Sequence, residues 1–219
     1  NKKDLCWWKR NISLSYLSEK LKGGKMKVIG ITGGIASGKS IITNTLLSQG
    51  YSVIDTDKIS HALLHEKDII EQIITFFGNE VMDGEYINRK KLGNIIFRDV
   101  NKQQQLNKII HPKVIENVEE IIQNANEEFI FVDVPLLFEA NMDEMMDEII
   151  VIYVDYETQV NRLIERDKID YEYAISKIEM QMPLSQKIQY ADYIIDNNGS
   201  IEDTIDQLNN IIRRIKNEI

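Results

Sequence analysis

Residues 33–40 read Gly33-Gly34-Ile35-Ala36-Ser37-Gly38-Lys39-Ser40, which fits the pattern G-x-x-x-x-G-K-[ST]. Glycines at these positions let the backbone curl so that successive N–H groups point inward, toward an anion. In this pattern the lysine reaches the β- and γ-phosphates of a nucleotide, and the final hydroxyl binds Mg²⁺. The stretch therefore predicts a phosphate site in which Lys39 contacts the phosphates and Ser40 holds the metal.

The segments on both sides of this loop have the patterns of a strand and a helix. Residues 27–32 are apolar enough for a buried parallel strand. Residues 41–47 carry apolar side chains at helical spacing, and the pattern stops at Gly50. The loop would then open a helix whose N-terminus adds partial positive charge to the phosphate site. The alternative is a glycine turn that binds nothing, and the two flanking patterns argue against it.

The composition is that of an ordinary globular protein in a reducing compartment. The 219 residues suffice for one α/β domain with a modest insertion. The 35 acidic and 26 basic residues give a net charge of −9, which disfavours a broad nucleic-acid surface. The single cysteine, Cys6, excludes an internal disulfide, and the apolar runs are far shorter than the ~20 residues of a membrane span. We expect a cytoplasmic monomer or weak homo-oligomer that binds small molecules, and neither nucleic acid nor a membrane.

Residues 1–25 differ in character from the rest of the chain. They hold both tryptophans and end in a linker-like glycine pair just before Met26. We expect a poorly ordered extension or cloning remnant, with Met26 a plausible native start and one domain over residues 26–219. A targeting peptide is the alternative, which Asp4, Glu19 and the lack of an apolar core disfavour.

Four more segments have the pattern of buried strands, and helical patterns separate them: residues 51–55, 128–134, 149–155 and 191–196. Strands that alternate with helices predict the α/β class, with a doubly wound parallel sheet of about five strands. Residues 58–126 are mostly helical in pattern and would form an insertion between the second and third strands.

Inside this insertion, local patterns predict several details. Asp83-Gly84 is typical of a turn or hairpin. Pro112 should kink its helix or restart it. Apolar side chains at helical spacing predict core-facing stripes, which comprise Ile69, Ile70, Ile73, Ile74 and Phe77 in one helix and Ile95, Ile96 and Phe97 in the next.

Carboxylates stand at the ends of two predicted strands. Asp55 and Asp57 follow the second strand and Asp133 ends the third. Ligands of parallel sheets gather beyond the carboxyl ends of the strands, and phosphorylation of a hydroxyl needs a carboxylate near the attacking oxygen. We expect one of Asp55 and Asp57 to face the site, and the alternative is that both cap a helix starting near Lys58. Asp133 follows four apolar residues and resembles a Walker B carboxylate, which would hold Mg²⁺.

Two arginines, Arg162 and Arg166, lie four residues apart after the fourth strand and so share one helix face. Phosphoryl transfer spreads negative charge over the transferred group, and arginines from a closing segment can neutralise it. The pattern is equally typical of a solvent-exposed face balanced by Glu165 and Asp167. Both interpretations remain open at this point.

Several classes of phosphate-loop protein fit the loop alone. A GTPase would want an Asn-Lys-x-Asp element, which the sequence lacks. A binding module without turnover would not need carboxylates at strand ends or paired arginines, whereas a small-molecule kinase needs both. We therefore predict a kinase that uses ATP and Mg²⁺. A nucleoside or nucleotide kinase and an ATP-binding regulatory protein stay as alternatives.

The order and spacing of the motifs resemble those of the dephospho-CoA kinase family, from about Met26 to the C-terminus. The resemblance rests on residues 31–40, Val53-Ile54-Asp55-Thr56-Asp57, Arg89 with Leu92, Ile110-His111-Pro112, residues 134–139, Arg162-Leu163 with Arg166, Gln181-Met182-Pro183 and residues 191–199. It implies a P-loop NTPase-type fold. It also implies transfer of the ATP γ-phosphoryl group to the ribose 3′-hydroxyl of dephospho-CoA, the last step of coenzyme A synthesis.

The resemblance also implies roles for individual residues. Asp57 is the implied base, residues 58–126 bind the acceptor, and residues of about 160–187 form a helical lid that carries Arg162 and Arg166. Besides Asp57, the implied acceptor contacts are Arg89, His111, Leu136 and Glu139. The implied ATP contacts are Gly33, Gly34, Ile35, Ala36, Ser37, Gly38, Lys39, Ser40, Ile41 and Asn198, and the metal residues are Ser40 and, ranked below it, Asp133.

The chain departs from the family pattern at Lys177, four residues before Gln181, where family members commonly carry arginine. Lysine keeps the charge but lacks the planar fork that binds a phosphate through two parallel hydrogen bonds. Lys177 therefore lacks the two-bond phosphate contact that an arginine could make at this position.

Overall fold

The computed structural model describes residues 26–96 and 99–218. The predictions made for residues 1–25 and for Phe97 lie outside the described residues. The described chain forms two compact units. One, the sheet unit, comprises residues 26–55 and 126–218, and the other, the helical unit, comprises residues 56–125 without residues 97 and 98.

The strands and longer helices follow one another along the chain with these bounds: β1 (Lys27–Gly33), α1 (Lys39–Ser48), β2 (Val53–Asp55), α2 (Thr56–Leu63), α3 (Lys67–Phe77), β3 (Met82–Asp83), β4 (Tyr86–Ile87), α4 (Arg89–Ile96), α5 (Val100–Asn124), β5 (Phe129–Asp133), β6 (Glu148–Tyr153), α6 (Tyr156–Asp167), α7 (Tyr171–Glu179), α8 (Leu184–Lys187), β7 (Tyr193–Asp196) and α9 (Ile201–Asn217).

The sheet unit is built on five parallel strands in the order β2-β5-β1-β6-β7. This confirms the predicted α/β class and the five-stranded parallel sheet. The register aligns the carboxyl ends of the strands, with Asp55 beside Asp133 and Gly33 beside Ile152. The loops that follow β1 and β5 therefore leave the sheet at the same edge.

The core of the sheet unit explains why the strand sequences are almost wholly apolar. Ile29 and Ile31 of β1 and Phe131 of β5 are fully buried, as strands covered on both faces require. Helices α1 and α9 contribute apolar side chains to the same cluster, and each fully buried isoleucine or phenylalanine side chain contributes about 1.5–3 kcal/mol. This packing holds the strand that leads into the glycine loop.

Four of the five predicted strands are shorter in the structure than in the sequence pattern, among them the fourth and the second. The fourth ends at Tyr153 because Asp155 caps helix α6 instead, its carboxylate accepting a hydrogen bond of 2.8 Å from the Thr158 N–H. Aspartate is among the preferred residues for this position. The second begins only at Val53, although the Ser52 carbonyl still accepts a hydrogen bond from the Phe131 N–H.

The helical unit packs α2, α3 and α4 against the 25-residue helix α5. Ile69, Ile73 and Phe77 are buried, which confirms the predicted stripe of α3. The hairpin is confirmed too, since β3 pairs antiparallel with β4 around Gly84, whose φ is +61°.

Helix α5 runs through Pro112 without interruption, so the prediction that Pro112 restarts a helix is wrong. Proline lacks an N–H group and removes one hydrogen bond from a helix interior. Buried side chains on both sides of it, Ile110 and Val114 among them, hold the two halves in one helix.

Candidate active site

The glycine loop connects the buried end of β1 to the N-terminus of α1. The Ser37 N–H donates to the Gly34 carbonyl at 3.1 Å and the Ile41 N–H to the Gly38 carbonyl at 2.9 Å, so two turns curl the chain. Ala36 and Gly38 have φ values of 60° and 90°, in the left-handed region. Left-handed residues in such a turn aim backbone N–H groups at one point and make an anion-binding concavity. The loop therefore has the shape that the sequence predicts for a phosphate site.

Two of the glycines are required by close contacts within the loop. A Cβ atom at Gly34 would collide with the side-chain amide nitrogen of Gln159, and one at Gly38 would collide with that of Asn197. Gly38 also has a φ that L-residues rarely adopt. The loop thus lies directly against two amide side chains.

Three amide side chains hold the loop, and two of them, Gln181 and Asn197, belong to motifs that the sequence analysis uses. The Ile35 N–H donates to Gln181 Oε1, and Gln159 Nε2 donates to the Ile35 carbonyl, both at 2.8 Å. On the other side Asn197 Nδ2 donates to the Ser37 carbonyl at 2.7 Å, and the Thr204 hydroxyl holds Asn197 in turn. Gln181 stands in a motif of the resemblance, whereas Gln159 carries no local signal in the sequence.

Lys39 and Asp133 form an ion pair at the carboxyl edge of the sheet, with Lys39 Nζ donating to Asp133 Oδ1. Both side chains are largely buried, and a buried carboxylate and ammonium are stable only when paired. The structure thus brings together Lys39, predicted for the phosphates, and Asp133, the metal residue ranked below Ser40. Ser40 lies exposed in the first turn of α1.

A second ion pair lies on the loop that follows β5. Lys187 Nζ is fully buried, lies 3.0 Å from Glu139 Oε1, and donates to Glu139 Oε2 at 3.2 Å and to the Pro135 carbonyl at 3.0 Å. Glu139 Oε1 also accepts a hydrogen bond of 2.8 Å from the Met182 N–H. Burial lowers the pKa of Lys187 in spite of Glu139, and the nearby charge of Lys39 lowers it further. The carboxylate predicted to contact the acceptor is therefore engaged within the protein.

The two predicted arginines have different partners although both lie on α6. Arg162 is half-buried, and its Nη2 donates to the Asn197 carbonyl at 2.9 Å. Arg166 is exposed and pairs with Asp167, which also binds Lys177 Nζ at 2.9 Å. These two cations hold the pKa of Asp167 down, at about 2. In this structure Arg166 fits the interpretation of a balanced, exposed face, whereas Arg162 reaches the loop beside the phosphate site.

The residue next to the predicted Asn198 makes the contact with the glycine loop. Asn198 Nδ2 donates to Asp196 Oδ1 at 2.7 Å, and its Oδ1 accepts from the Asp155 N–H at 3.0 Å. These bonds shape the turn after β7, while the buried Asn197 reaches Ser37. The contact of Asn198 with ATP stays a prediction.

The helical unit carries three of the predicted acceptor residues. Asp57 is exposed in the first turn of α2, so the interpretation of Asp57 as an N-cap of a helix near Lys58 is wrong: the helix begins one residue before it, at Thr56. Arg89 is exposed at the start of α4. His111 is half-buried on α5, next to Pro112. Leu136, in the sheet unit, is half-buried in the loop after β5.

Burial lowers the pKa of His111 to about 4, so its imidazole is neutral at pH 7. The unfolded chain takes up a proton on this residue below about pH 6.5, where the folded chain does not. The free energy of unfolding should therefore fall by about 2 kcal/mol between pH 7 and pH 5 through this residue.

Urea unfolding at pH 7 and pH 5 measures this effect. We expect the loss at pH 5 to be smaller in His111→Gln than in the parent chain. His61→Gln is the matched control, because His61 is exposed on a helix of the same unit. An equal loss in both variants would contradict the assignment.

The described part of the chain contains neither a membrane-spanning helix nor a cluster of metal-binding side chains. Within residues 26–96 and 99–218, every helix is too short or too polar to traverse a bilayer. Across the same residues no group of three or more histidine, cysteine, aspartate or glutamate side chains is placed to hold a metal ion.

Comparison with known sequences points to one family. The family model described as dephospho-CoA kinase matches residues 27–203. A dephospho-CoA kinase of Fusobacterium nucleatum is 45% identical over 177 residues, which cover 80% of this chain and 92% of that protein. One of Arabidopsis thaliana is 38% identical over 87% of this chain and 84% of its own length.

The solved structures agree with this assignment. A dephospho-CoA kinase of Campylobacter jejuni matches with a TM-score of 0.67 and 30% identity, over 89% of this chain and all of that one. The protein TT1252 of Thermus thermophilus matches with a TM-score of 0.75 and 28% identity, over 86% of this chain and 97% of that one. Sequence and fold agree over most of the chain's length, and the chain belongs to the dephospho-CoA kinase family.

Proposed function

We propose that the chain transfers the γ-phosphoryl group of ATP to the ribose 3′-hydroxyl of dephospho-CoA, which gives coenzyme A in the last step of its synthesis. The observation that carries this proposal is the family match over residues 27–203, which contain the glycine loop, Asp57 and the predicted lid. The P-loop fold supports ATP as the phosphate donor, and membership of the family supports dephospho-CoA as the acceptor.

The nucleotide would bind through its phosphates at the glycine loop and the N-terminus of α1. Backbone N–H groups of residues 33–41 and the Lys39 ammonium are the donors that this position offers. The N–H groups of Ile35, Ser37 and Ile41 are exceptions, because they donate to Gln181 Oε1 and to the Gly34 and Gly38 carbonyls, respectively. Lys39 would exchange part of its contact with Asp133 for the phosphate oxygens.

Mg²⁺ fits the oxygen donors at this edge of the sheet. Magnesium usually binds one or two carboxylates and the substrate phosphates, and keeps several waters. Ser40 and Asp133 would hold it, and when bound it neutralises charge on the phosphates. The ion pair with Lys39 holds the Asp133 carboxylate in place at this edge of the sheet.

The acceptor hydroxyl would be activated by Asp57. The hydroxyl oxygen attacks the γ-phosphorus, its proton passes to the Asp57 carboxylate, and ADP leaves with the bridging oxygen. Arg89, His111 and Leu136 are the proposed contacts that orient the acceptor. Glu139 would act through Lys187 and Met182, by fixing the loop that carries Leu136.

Residues of about 160–187 would serve as the lid. Closing such a segment excludes water, which would otherwise hydrolyse ATP in place of the acceptor reaction. Arg162 and Arg166 would then stabilise the charge on the transferred group. Arg162 is the stronger candidate, because it already lies beside Asn197 at the glycine loop.

The proposal predicts strong, acceptor-specific release of ADP. We would measure ADP release with ATP and Mg²⁺ in the presence of dephospho-CoA, adenosine, AMP or uridine. Dephospho-CoA alone should stimulate release and give a product heavier by one phosphate, and Lys39→Met should abolish the signal. Stimulation by a nucleoside would indicate a different kinase on the same fold, and no stimulation by any acceptor would favour a regulatory ATP-binding protein.

A further inference from the structure

We propose that Gln159 and Gln181 are positioning residues that hold the tip of the phosphate loop in the shape that binds the nucleotide. Together they form a clamp on one residue, Ile35. The inference rests on the proposed function only in taking ATP as the ligand of the loop. It does not depend on which acceptor is phosphorylated.

The clamp engages both polar groups of the Ile35 backbone. The N–H donates to Gln181 Oε1 and the carbonyl accepts from Gln159 Nε2, each at 2.8 Å. An N–H group can only donate and a carbonyl can only accept, so these partners fix which end of each side-chain amide faces the loop. The orientation of both glutamines is therefore set by the loop itself.

The burial of the two glutamines differs, and both positions are held by the fold. Gln159 is 4% exposed on α6, and its amide nitrogen fills the space that a side chain at Gly34 would need. Gln181 is half-buried just beyond α7, and its N–H donates to the Ile178 carbonyl at 3.0 Å. Loop and clamp therefore meet in a contact that leaves no room between Gly34 and Gln159.

Holding Ile35 fixes the peptide planes on both sides of it. Ala36 follows directly with a φ of 60°, a conformation that costs free energy in a residue other than glycine. The clamp supplies hydrogen bonds that favour this conformation over the alternatives of a free loop. Without it, the loop would spend part of its time in shapes that do not bind phosphate, and the apparent dissociation constant rises by the inverse of the competent fraction.

The clamp also joins the phosphate loop to the predicted lid. Gln159 lies next to the lid's first residues and Gln181 lies inside it, whereas Ile35 is 124 and 146 residues away along the chain. The next residue, Met182, is tied to Glu139. The shape of the loop and the position of this segment are thus coupled by direct hydrogen bonds.

Isosteric substitutions test the clamp. Both glutamines line a cavity of about 450 Å³. The variants Gln159→Met and Gln181→Met keep the length of the side chain, so water from this cavity is less able to take the place of the lost amide. We expect each variant to weaken ADP binding, measured by calorimetric titration, about three- to tenfold, the effect of one net hydrogen bond. The double variant should lose less than the product of the two, because both act on one residue.

Gln186→Met is the matched control, since Gln186 is exposed on α8 in the same segment. It should bind ADP as the parent chain does. In turnover assays the KM for ATP should rise in the two clamp variants while the KM for dephospho-CoA stays within about twofold. A purely structural role would lower the melting temperature and leave ADP affinity and both KM values unchanged, and that result would overturn the proposal.

Two charged variants test whether the hydrogen bonds to Ile35, and not merely the presence of the two side chains, hold the loop. Gln181→Glu keeps an acceptor for the Ile35 N–H, whereas Gln159→Glu places a carboxylate against the Ile35 carbonyl. We expect Gln159→Glu to weaken ADP binding at least about fivefold more, because its carboxylate is buried against the Ile35 carbonyl, whereas Gln181→Glu keeps the hydrogen bond and is only half-buried. Equal losses, or a larger loss in Gln181→Glu, would refute the clamp.

The clamp and the proposed function can fail independently of each other. If the parent chain binds ADP but does not respond to dephospho-CoA, the proposed function fails and the titrations still decide the clamp. If Gln159→Glu does not fold, the half-buried Gln181 decides by itself: Gln181→Met should weaken ADP binding and Gln181→Glu should weaken it less. The reverse order would overturn the proposal.

Discussion

Replacing Asp57 with asparagine should lower kcat for dephospho-CoA phosphorylation about 10²- to 10⁴-fold, the usual contribution of a general base. Asparagine keeps the size of the side chain but cannot take the proton of the attacking hydroxyl. The affinity for ATP should stay within about twofold, because the phosphates bind at the glycine loop and not at this carboxylate. The loss should therefore appear in kcat and not in the KM for ATP.

Asp68→Asn is the matched control for this measurement. Asp68 and Asp57 are both carboxylates in the first turn of a helix of the same unit, so both changes remove the same favourable interaction with a helix N-terminus. Steady-state assays of the two variants and the parent, with ADP affinity measured beside them, separate catalysis from stability. Turnover of Asp57→Asn within tenfold of the parent would refute the assignment of the base.

Local sequence patterns predicted the parts of the fold that depend on neighbouring residues. The apolar run of β1, the glycine loop and the start of α1 lie within residues 27–48, and each follows from backbone conformation and burial over a few positions. The five strands and the hairpin around Gly84 could be predicted for the same reason. The end of β6 does not follow from such local patterns. Asp155 fits either the end of the strand or the N-cap of α6, and the hydrogen bond from the Thr158 N–H places it at the N-cap.

The partners of the site residues could not be read from the sequence. Gln181 and Asn197 contact the glycine loop across 146 and 160 residues of the chain, and the motifs in which they stand do not give these contacts. Sequence spacing put Arg162 and Arg166 on one helix face. It could not show that Asp167 engages only the second of them, because side-chain geometry decides such pairs. The resemblance identified Gln181 as a motif residue without giving its contact.

Glu139 was predicted to contact the acceptor, but in the structure its carboxylate is engaged by other groups of the protein. Its carboxylate holds Lys187, whose ammonium is fully buried, and the Met182 N–H. Burial lowers the pKa of Lys187 even with Glu139 beside it, so desolvation outweighs the attraction of the pair. Such a pair adds little net stability compared with apolar residues of the same size, but removing one partner is costly.

Glu139→Leu should therefore lower the free energy of unfolding by about 3–5 kcal/mol, because it leaves the Lys187 ammonium buried with only the Pro135 carbonyl. In a chain of this size the melting temperature should fall on the order of 10 °C. Lys187→Met should cost less, since the Glu139 side chain is 21% exposed and keeps the Met182 N–H as a donor. The double variant should recover most of the loss of Glu139→Leu.

The exposed pair Lys113–Glu116, with the same kind of contact at 2.8 Å, is the matched control. Solvent screens it, so Glu116→Leu should change the free energy of unfolding by less than about 1 kcal/mol, and the double variant with Lys113→Met should show almost no coupling. Urea unfolding of both cycles measures the two coupling energies side by side. If the losses of Glu139→Leu and Lys187→Met simply add in the double variant, the two residues do not act as a buried pair, and the loop after β5 must be held by its other contacts.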